Sequence, residues 1–319
     1  MKDLSYTLLR PAAEDALGAS RYSPRKLVLL HTGITLGAGL VLNLLSYVLD
    51  LGIAQTSGLS GMENRAVLQS LQAFLTIITT ILLPFWEIGY IAAALQFARR
   101  QSPNAQSLLG GLRNWGVVLR SLLLKAILVF AALFIGAQIT SFIYYMTPMG
   151  APLTEMTLEL LESGADPMAM LENEAYLELT MQAVPFMAIG AGILALPVLY
   201  LLRFSDYVLM DQPERGALFA LLVGVQISRR HLKALLKLDL RFWWYYLLEV
   251  LVAALGYGHL ILEMAGVELG VGGDTAMFVF YLVSLAGQLG LYVWKKNSVY
   301  TTFAAAYDCI TQPLPAEAE

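Results

Sequence analysis

Six runs of apolar residues dominate the chain, and most of the charge falls between them. They are Leu27–Leu49, Val67–Ala98, Val117–Met146, Val184–Leu202, Phe242–Leu262 and Thr275–Trp294. About 20 apolar residues in a helix cross the roughly 30 Å hydrocarbon core of a bilayer. None of the runs alternates with period two, as the strands of a closed barrel must, so the pattern predicts helices. The second run is long and is interrupted by Pro84 and Glu87.

The connections carry a second pattern. Ser102-Pro103 predicts an N-cap with proline at the first helical position. Leu108, Leu112, Trp115, Leu119 and Leu122 then recur at helical spacing, with Arg113 and Arg120 off the stripe. Gln212-Pro213-Glu214 opens a second such helix with Leu218, Leu221, Leu222 and Val225 as its apolar face, followed by Arg229, Arg230, Lys233 and Lys237. Arg10-Pro11 opens a third. Basic residues beside an apolar stripe suit a helix in the membrane interface; a helix packed on the bundle is the alternative. Residues 11–21 and 103–113 share proline, alanine, leucine, glycine and arginine in register. Pro213 starts a third stretch, and Pro84 and Pro197 match within their spans. Two readings follow: a threefold repeat, each unit an inner helix, a span out and a span back, around an axis along the membrane normal, or no repeat, only the self-resemblance common to apolar sequence.

Composition agrees with the pattern. The 319 residues are 58% hydrophobic and 14% charged, with a mean hydropathy of +0.64. A water-facing surface carries about 25% charged residues. An ordinary soluble enzyme, a disordered chain and a disulfide-stapled domain are excluded, the last because Cys309 is the only cysteine. Met1 to Ala19 is polar and has no signal-peptide core, so the chain is expected to keep its own start.

The net charge of −4 matters less than where the cations sit. Nineteen of the 20 Lys and Arg lie before the first run, between the second and third taken to the first turns of the third (which hold Arg120 and Lys125), between the fourth and fifth, or after the sixth; Arg65 is the exception. By the positive-inside rule both termini face the cytoplasm, and six spans close the circuit. The expected architecture is an all-α polytopic membrane protein with six transmembrane helices and amphipathic cytoplasmic interfacial helices. Within its single membrane domain lie a cytoplasmic segment at 1–26, an acidic outer loop at 147–183, a basic inner connection at 203–241 and a cytoplasmic tail at 295–319. The outer loop holds Glu155, Glu159, Glu162, Asp166, Glu172, Glu174 and Glu178 without a basic residue. Two short helices are expected there, the second from Asp166-Pro167. They form a lid or cation collector, or simply a solvated acidic face.

Templates for chemistry return nothing. His31, His231 and His259 are scattered, and zinc, phosphate-loop, nucleophile-elbow and kinase signatures are missing from the sequence. No catalytic residue, metal or cofactor is indicated, and the basic runs lack the aromatic interleaving of a nucleic-acid interface. Ionisable residues inside spans are the remaining clue, because each is costly in hydrocarbon. Glu87, Glu249, Lys125 and His259 are the candidates for an intramembrane polar site. Counted from the nearest inner arginine at about 1.5 Å per residue, Glu87 lies roughly 18 Å deep, Glu249 about 12 Å and Lys125 about 7–8 Å. Glu249 and Lys125 could pair. The alternatives are a polar or proton-linked path and carboxylates that hold helices together. Arg113, Arg120, Arg229, Arg230, Lys233 and Lys237 form the expected cytoplasmic basic interface. Gly33-Gly37, Gly190-Gly192 and Ala286-Gly290 suit close helix packing. Trp115, Trp243, Trp244 and Trp294 read as interface anchors, with Trp86 deeper beside Glu87.

The stretch from Ala217 to Leu248, with Ser228, Lys233, Leu236, Leu238, Leu240, Phe242, Trp244, Leu247 and Leu248, resembles a Firmicutes integral-membrane family, the domain of unknown function 975. Gly256 and Gly258 match its glycine pair, Thr275, Ala276, Phe280 and Tyr281 its last motif, and Leu17-Gly18 an early pair. The resemblance implies a bacterial cytoplasmic-membrane location and carries no activity. Two function classes follow. One is a small transporter, permease or export-accessory component. The other is a non-transporting scaffold or partner subunit whose basic inner helices bind anionic lipid or protein. An enzyme acting on lipid is a third. Membrane lipids, a second copy or a partner membrane protein are the expected partners.

Overall fold

The computed structural model describes residues 6–55, 59–162, 164, 173–258, 262 and 273–311, and within them every regular element is helical. In chain order these are α1 (Tyr6–Gly18), α2 (Pro24–Gln55), α3 (Leu59–Ala98), a 3₁₀ turn (Ala105–Leu109), α4 (Gly110–Arg113), α5 (Trp115–Tyr145) and α6 (Ala151–Glu162). Then come α7 (Glu174–Leu202), α8 (Ser205–Asp211), a 3₁₀ turn (Pro213–Arg215), α9 (Ala217–Arg230), α10 (Leu232–Arg241) and α11 (Trp243–Leu255). Last are α12 (Gly273–Leu291), a π turn (Tyr292–Lys296) and α13 (Asn297–Thr311). Four stretches are long and apolar enough to cross a membrane: Pro24–Leu42, Trp115–Tyr145, Glu174–Asp211 and Ala276–Thr311. Leu82–Ala98 and Trp243–Leu255 are shorter apolar helices. Each of the six overlaps one of the six apolar runs.

The chain forms two compact units, residues 1–119 with 204–319, and residues 120–203. In the second unit, α5 and α7 meet where Gly136 approaches the backbone of Gly190 and Ala191. Thr140 returns its hydroxyl to the Gly136 carbonyl (2.8 Å) and covers Gly190. At one end Tyr144, Leu153 of α6 and Ala183 make a small core. The first of the two expected outer-loop helices is thus α6; the second, from Asp166, lies outside the described residues, as do Glu172 and Arg65's side chain.

The first unit changes character along its helices. On α2, Ile34, Val41, Leu44, Leu45 and Val48 point outward, whereas Leu27, Val28, His31 and Thr32 are buried. On α3, Val67, Leu71, Phe74, Ile77 and Leu82 are outward, and from Phe85 to Phe97 most side chains are buried. Met277, Phe278, Val279, Leu282 and Val283 of α12 are outward, and α13 is buried along most of its length. Three helices therefore pass from an exposed apolar stretch into a protein-wrapped one at the level of His31, Phe85 and Leu291. Side chains such as Phe74, Ile77 and Phe278 are more than half exposed, and an apolar surface of that extent is stable only against apolar surroundings.

The wrapped layer is built from α1, α3, α8, α9 and α13, which pack on one another. It corrects the sequence reading in several places. The tail expected after Trp294 is the buried helix α13, because no proline or glycine stops the chain before Thr311. The inner helix expected from Ser102 starts later. Asn104 is its cap, accepting from the Gln106 amide (2.9 Å) and sharing a reciprocal capping box with Ser107. Ser102 instead accepts from the Arg21 amide (3.1 Å). The Leu108–Leu122 stripe breaks at Asn114, so Leu108 is buried while Leu112 and Trp115 are exposed. Helix α1 begins at Tyr6, ahead of Pro11. On α9 the packed face is Ala217, Ala220, Leu221, Gly224, Ile227 and Ser228, and Leu218 and Leu222 point outward. The small residues win that face because Gly224 lies directly against the backbone of Ser205. The two stretches matched as repeats also fold differently, one within α1 and the other as a 3₁₀ turn followed by the single-turn α4.

Glycine contacts match the expectation of close packing at Gly190 and Gly287 and differ from it on α2. Gly33 and Gly37 have open space where a Cβ would stand, and Gly287 meets Val252. The tightest approach joins α3 to the turn after it. A Cβ on Gly89 would strike the Leu108 carbonyl, and one on Gly111 the Phe85 carbonyl. Gly89→Ala is expected to cost about 2–3 kcal/mol, since backbone cannot retreat as a side chain can. Gly33→Ala should be neutral or stabilising by up to about 1 kcal/mol through helix propensity. Thermal unfolding in detergent should separate the two variants in that order.

Candidate functional site

The candidate site lies where the three helices change from exposed to wrapped. Helix α3 continues through Pro84 and places Glu87 between α2 and the C-terminal helix. The π turn Tyr292–Lys296 precedes Asn297, and such turns re-aim side chains relative to an α-helix. Here Lys296 is turned inward and is 6% exposed, while its neighbour Trp294 is outward. The Lys296 ammonium donates to Glu87 Oε2 (3.1 Å). It lies 5.0 Å from the ring centres of Tyr90 and Tyr292 and 5.3 Å from that of Tyr300. The Tyr300 hydroxyl donates to Glu87 Oε1. His31 Nε2 lies 3.2 Å from Glu87 Oε2, off the line of a hydrogen bond. The His31 ring stacks on Trp86 (6.1 Å, 15°) and leans on Tyr90 (4.6 Å).

Hydrogen bonds lock this cluster to the backbone. The Trp86 indole donates to the His31 carbonyl (3.2 Å). The Tyr90 hydroxyl donates to Asn297 Oδ1 (2.6 Å), and the Asn297 amide donates to the Pro24 carbonyl (2.7 Å). One carboxylate thus ties α2, α3 and the C-terminal helix together, with its charge balanced by an ammonium inside an aromatic surround. Glu249 joins the same neighbourhood from α11, accepting from the Tyr292 hydroxyl (2.8 Å).

The two glutamates read from the sequence are therefore brought together, through Tyr292 and Lys296. Lys125 belongs to the other unit, where it is half-buried on α5. His259 lies outside the described residues. The depth reckoned for Glu87 assumed lipid up to Arg99. From Phe85 to Phe97, however, α3 is wrapped by protein, so the distance from Arg99 does not measure hydrocarbon depth. His31, Lys296, Tyr300 and Asn297 are the residues the sequence reading did not assign to the site. Polar residues recurring within an apolar helix (Asn297, Tyr300, Thr301, Tyr307 and Asp308) were the available signal.

A second cluster closes the far end of α3. Gln101 donates its amide to Gln96 (2.9 Å) and Arg100 to Phe97 (2.9 Å), which is the bond pair of a Schellman cap. Arg100 takes the left-handed position at φ 56°, where glycine is usual. The cap presents Arg99 to two helices. Its guanidinium donates twice to Asp308 Oδ1, through Nη2 (2.8 Å) and Nε (3.1 Å), and pairs with Asp211 through Nη1 (2.7 Å). Tyr307 donates to the other oxygen of Asp211 (3.0 Å). The hydrogen bonds to Asp308, foremost, hold the guanidinium's pKa above even its ordinary value, so it stays charged.

The six residues of the expected basic interface are all exposed. Arg113 ends α4, Arg120 lies early in α5, Arg229 and Arg230 end α9, and Lys233 and Lys237 lie on α10. Lys295 sits over Trp244 (5.9 Å) and Trp294 (5.1 Å), whose rings are 5.5 Å apart. Among the described residues no group of three or more His, Cys, Asp or Glu could hold a metal. Comparison with protein-family models, curated proteins and solved structures finds no match.

Proposed function

We propose that the chain is a six-span bacterial inner-membrane scaffold or partner subunit, in which a bundle in lipid carries a wrapped layer of helices on the cytoplasmic side. The carrying observation is that Glu87 and Lys296 neutralise each other and join α3 to the C-terminal helix, with His31 of α2 3.2 Å from the same carboxylate. Such a cluster holds the bundle shut instead of leaving a charge free for cargo. The helix before the π turn, Gly273–Leu291, has 19 residues, about 29 Å at 1.5 Å each, which matches the hydrocarbon thickness. On that reading Glu87 sits at the inner boundary, level with the Trp244–Lys295–Trp294 stack, a natural interface marker. The two shorter apolar helices complete the six spans. The threefold unit is left out, because the matched stretches fold differently. The bacterial location rests on the family resemblance, and the cytoplasmic placing on the cations.

One observation favours transport as the second reading. About 35% of the Glu87 side chain is exposed, and Glu249 is linked to it through Tyr292 and Lys296. A water path would have to reach this open flank. Leu83, one turn before Glu87, reports on it. In a Cys309→Ser background reconstituted in liposomes, Leu83→Cys is expected to resist a membrane-impermeant maleimide from both faces. Labelling from either face, together with collapse of an imposed pH gradient that Glu87→Gln abolishes, would replace the scaffold by a proton-linked permease.

A further inference from the structure

The outer face of α9 and α10 carries three features that belong together. First, α10 divides its circumference into three strips. Leu235 and Leu238 are buried. Leu232, Leu236 and Leu240 follow at four-residue spacing and are exposed, Leu240 at 67%. Beside them, at the same spacing, stand Lys233, Lys237 and Arg241, also exposed. A helix places residues four apart on one strip, so a leucine row and a cation row run side by side along α10. Second, α9 repeats the device. Leu218 and Leu222 are exposed on the strip that ends at Arg229. Third, the chain turns at Phe242 and enters the apolar helix α11 at Trp243, itself exposed. A helix that leads into a membrane span within two residues cannot lie far from the membrane surface. Asp239, the acidic residue of α10, accepts from Tyr246 (2.9 Å) and lies on the other flank of the leucine row, away from the cations.

We propose that this face is a seat for anionic phospholipid of the surrounding membrane. The leucine row enters the acyl boundary, and Lys233, Lys237, Arg241 and Arg229 hold the headgroup phosphates. The inference deepens the scaffold reading by naming what its inner layer grips. The leucines explain why the choice is lipid: a soluble acidic protein would meet the cations but leave five exposed leucines in water. The geometry is that of an interfacial helix, apolar side into the boundary and long basic side chains reaching up to the phosphates.

The test uses the full chain in nanodiscs. Leu236→Cys in the Cys309→Ser background, labelled with an environment-sensitive dye, should emit as in an apolar medium and be quenched by lipids brominated near the headgroup end of the acyl chain. Spin-labelled phosphatidylglycerol should associate with the protein several-fold more strongly than spin-labelled phosphatidylcholine. That preference should fall to near one in Lys233→Gln/Lys237→Gln/Arg241→Gln, whose positions are exposed and whose fold is checked by an unchanged melting temperature. Raising salt should reduce it in the unsubstituted protein. Emission as in water, an apolar dye signal without lipid quenching, or equal association of the two lipids would each overturn the proposal. So would a preference that the triple variant retains. None of these outcomes changes the Leu83 labelling result, which tests the closed bundle separately.

Discussion

Lys296→Met is expected to lower the stability of the protein by about 3 kcal/mol, read as a loss of thermal midpoint in detergent or by chemical unfolding. The substitution leaves the volume of the side chain and removes its charge. Glu87 would then face only His31, whose imidazole is not aligned to donate, and the Tyr300 hydroxyl. Removing one partner of a fully buried pair costs about 3–5 kcal/mol, and the open flank of Glu87 places this case at the lower end. Glu87→Gln/Lys296→Met removes both charges and should recover most of the loss, giving a coupling of about 2 kcal/mol in a double-mutant cycle. Additive losses within about 0.5 kcal/mol would show that the pair does not bind the helices as described.

Arg99→Gln comes second, at about 2–3 kcal/mol. The residue is 29% exposed, yet it satisfies carboxylates from two helices, Asp211 of α8 and Asp308 of α13. Without it the two carboxylates face each other across a space walled by Tyr307. Arg99→Lys keeps the charge but not the planar fork, and should recover less than half of the loss. Full recovery by lysine would mean that charge alone, and not the two-pronged geometry, holds the end of α3.

Much of the architecture was legible because one force dominates it. Apolar runs of span length announce themselves whatever they pack against, so the six stretches and their helical nature followed from hydropathy alone. What failed was anything that depends on which neighbour a face meets. Leu218, Leu221, Leu222 and Val225 read as one apolar face, yet the chain buries Leu221 beside alanine and glycine and leaves Leu218 and Leu222 outward, because α8 comes within backbone contact of Gly224. Ser102 and Asn104 are both good caps, and only the position of Arg21 decides between them. Glu87 stood out as a carboxylate in an apolar run. Its partner Lys296 is 209 residues away and looked like a span-ending flank. Pairing over that separation is a property of packing. The continuation of the last helix could have been read, since Val299, Phe303, Ala306 and Tyr307 keep an apolar stripe through the supposed tail.

The wide turn at Tyr292–Lys296 also limits how the chain can change in length. A π turn holds one more residue than the α turn it replaces. The turn has already absorbed that extra residue, so inserting a second one there would rotate everything beyond it by about 100° about the helix axis. Asn297, Tyr300, Tyr307 and Asp308 all lie beyond it, so their bonds to Pro24, Glu87, Asp211 and Arg99 would be lost in one step. The two clusters at opposite ends of the wrapped layer are phased by one shared ruler. Between its marks the sequence is free to exchange residues, but not to gain or lose one.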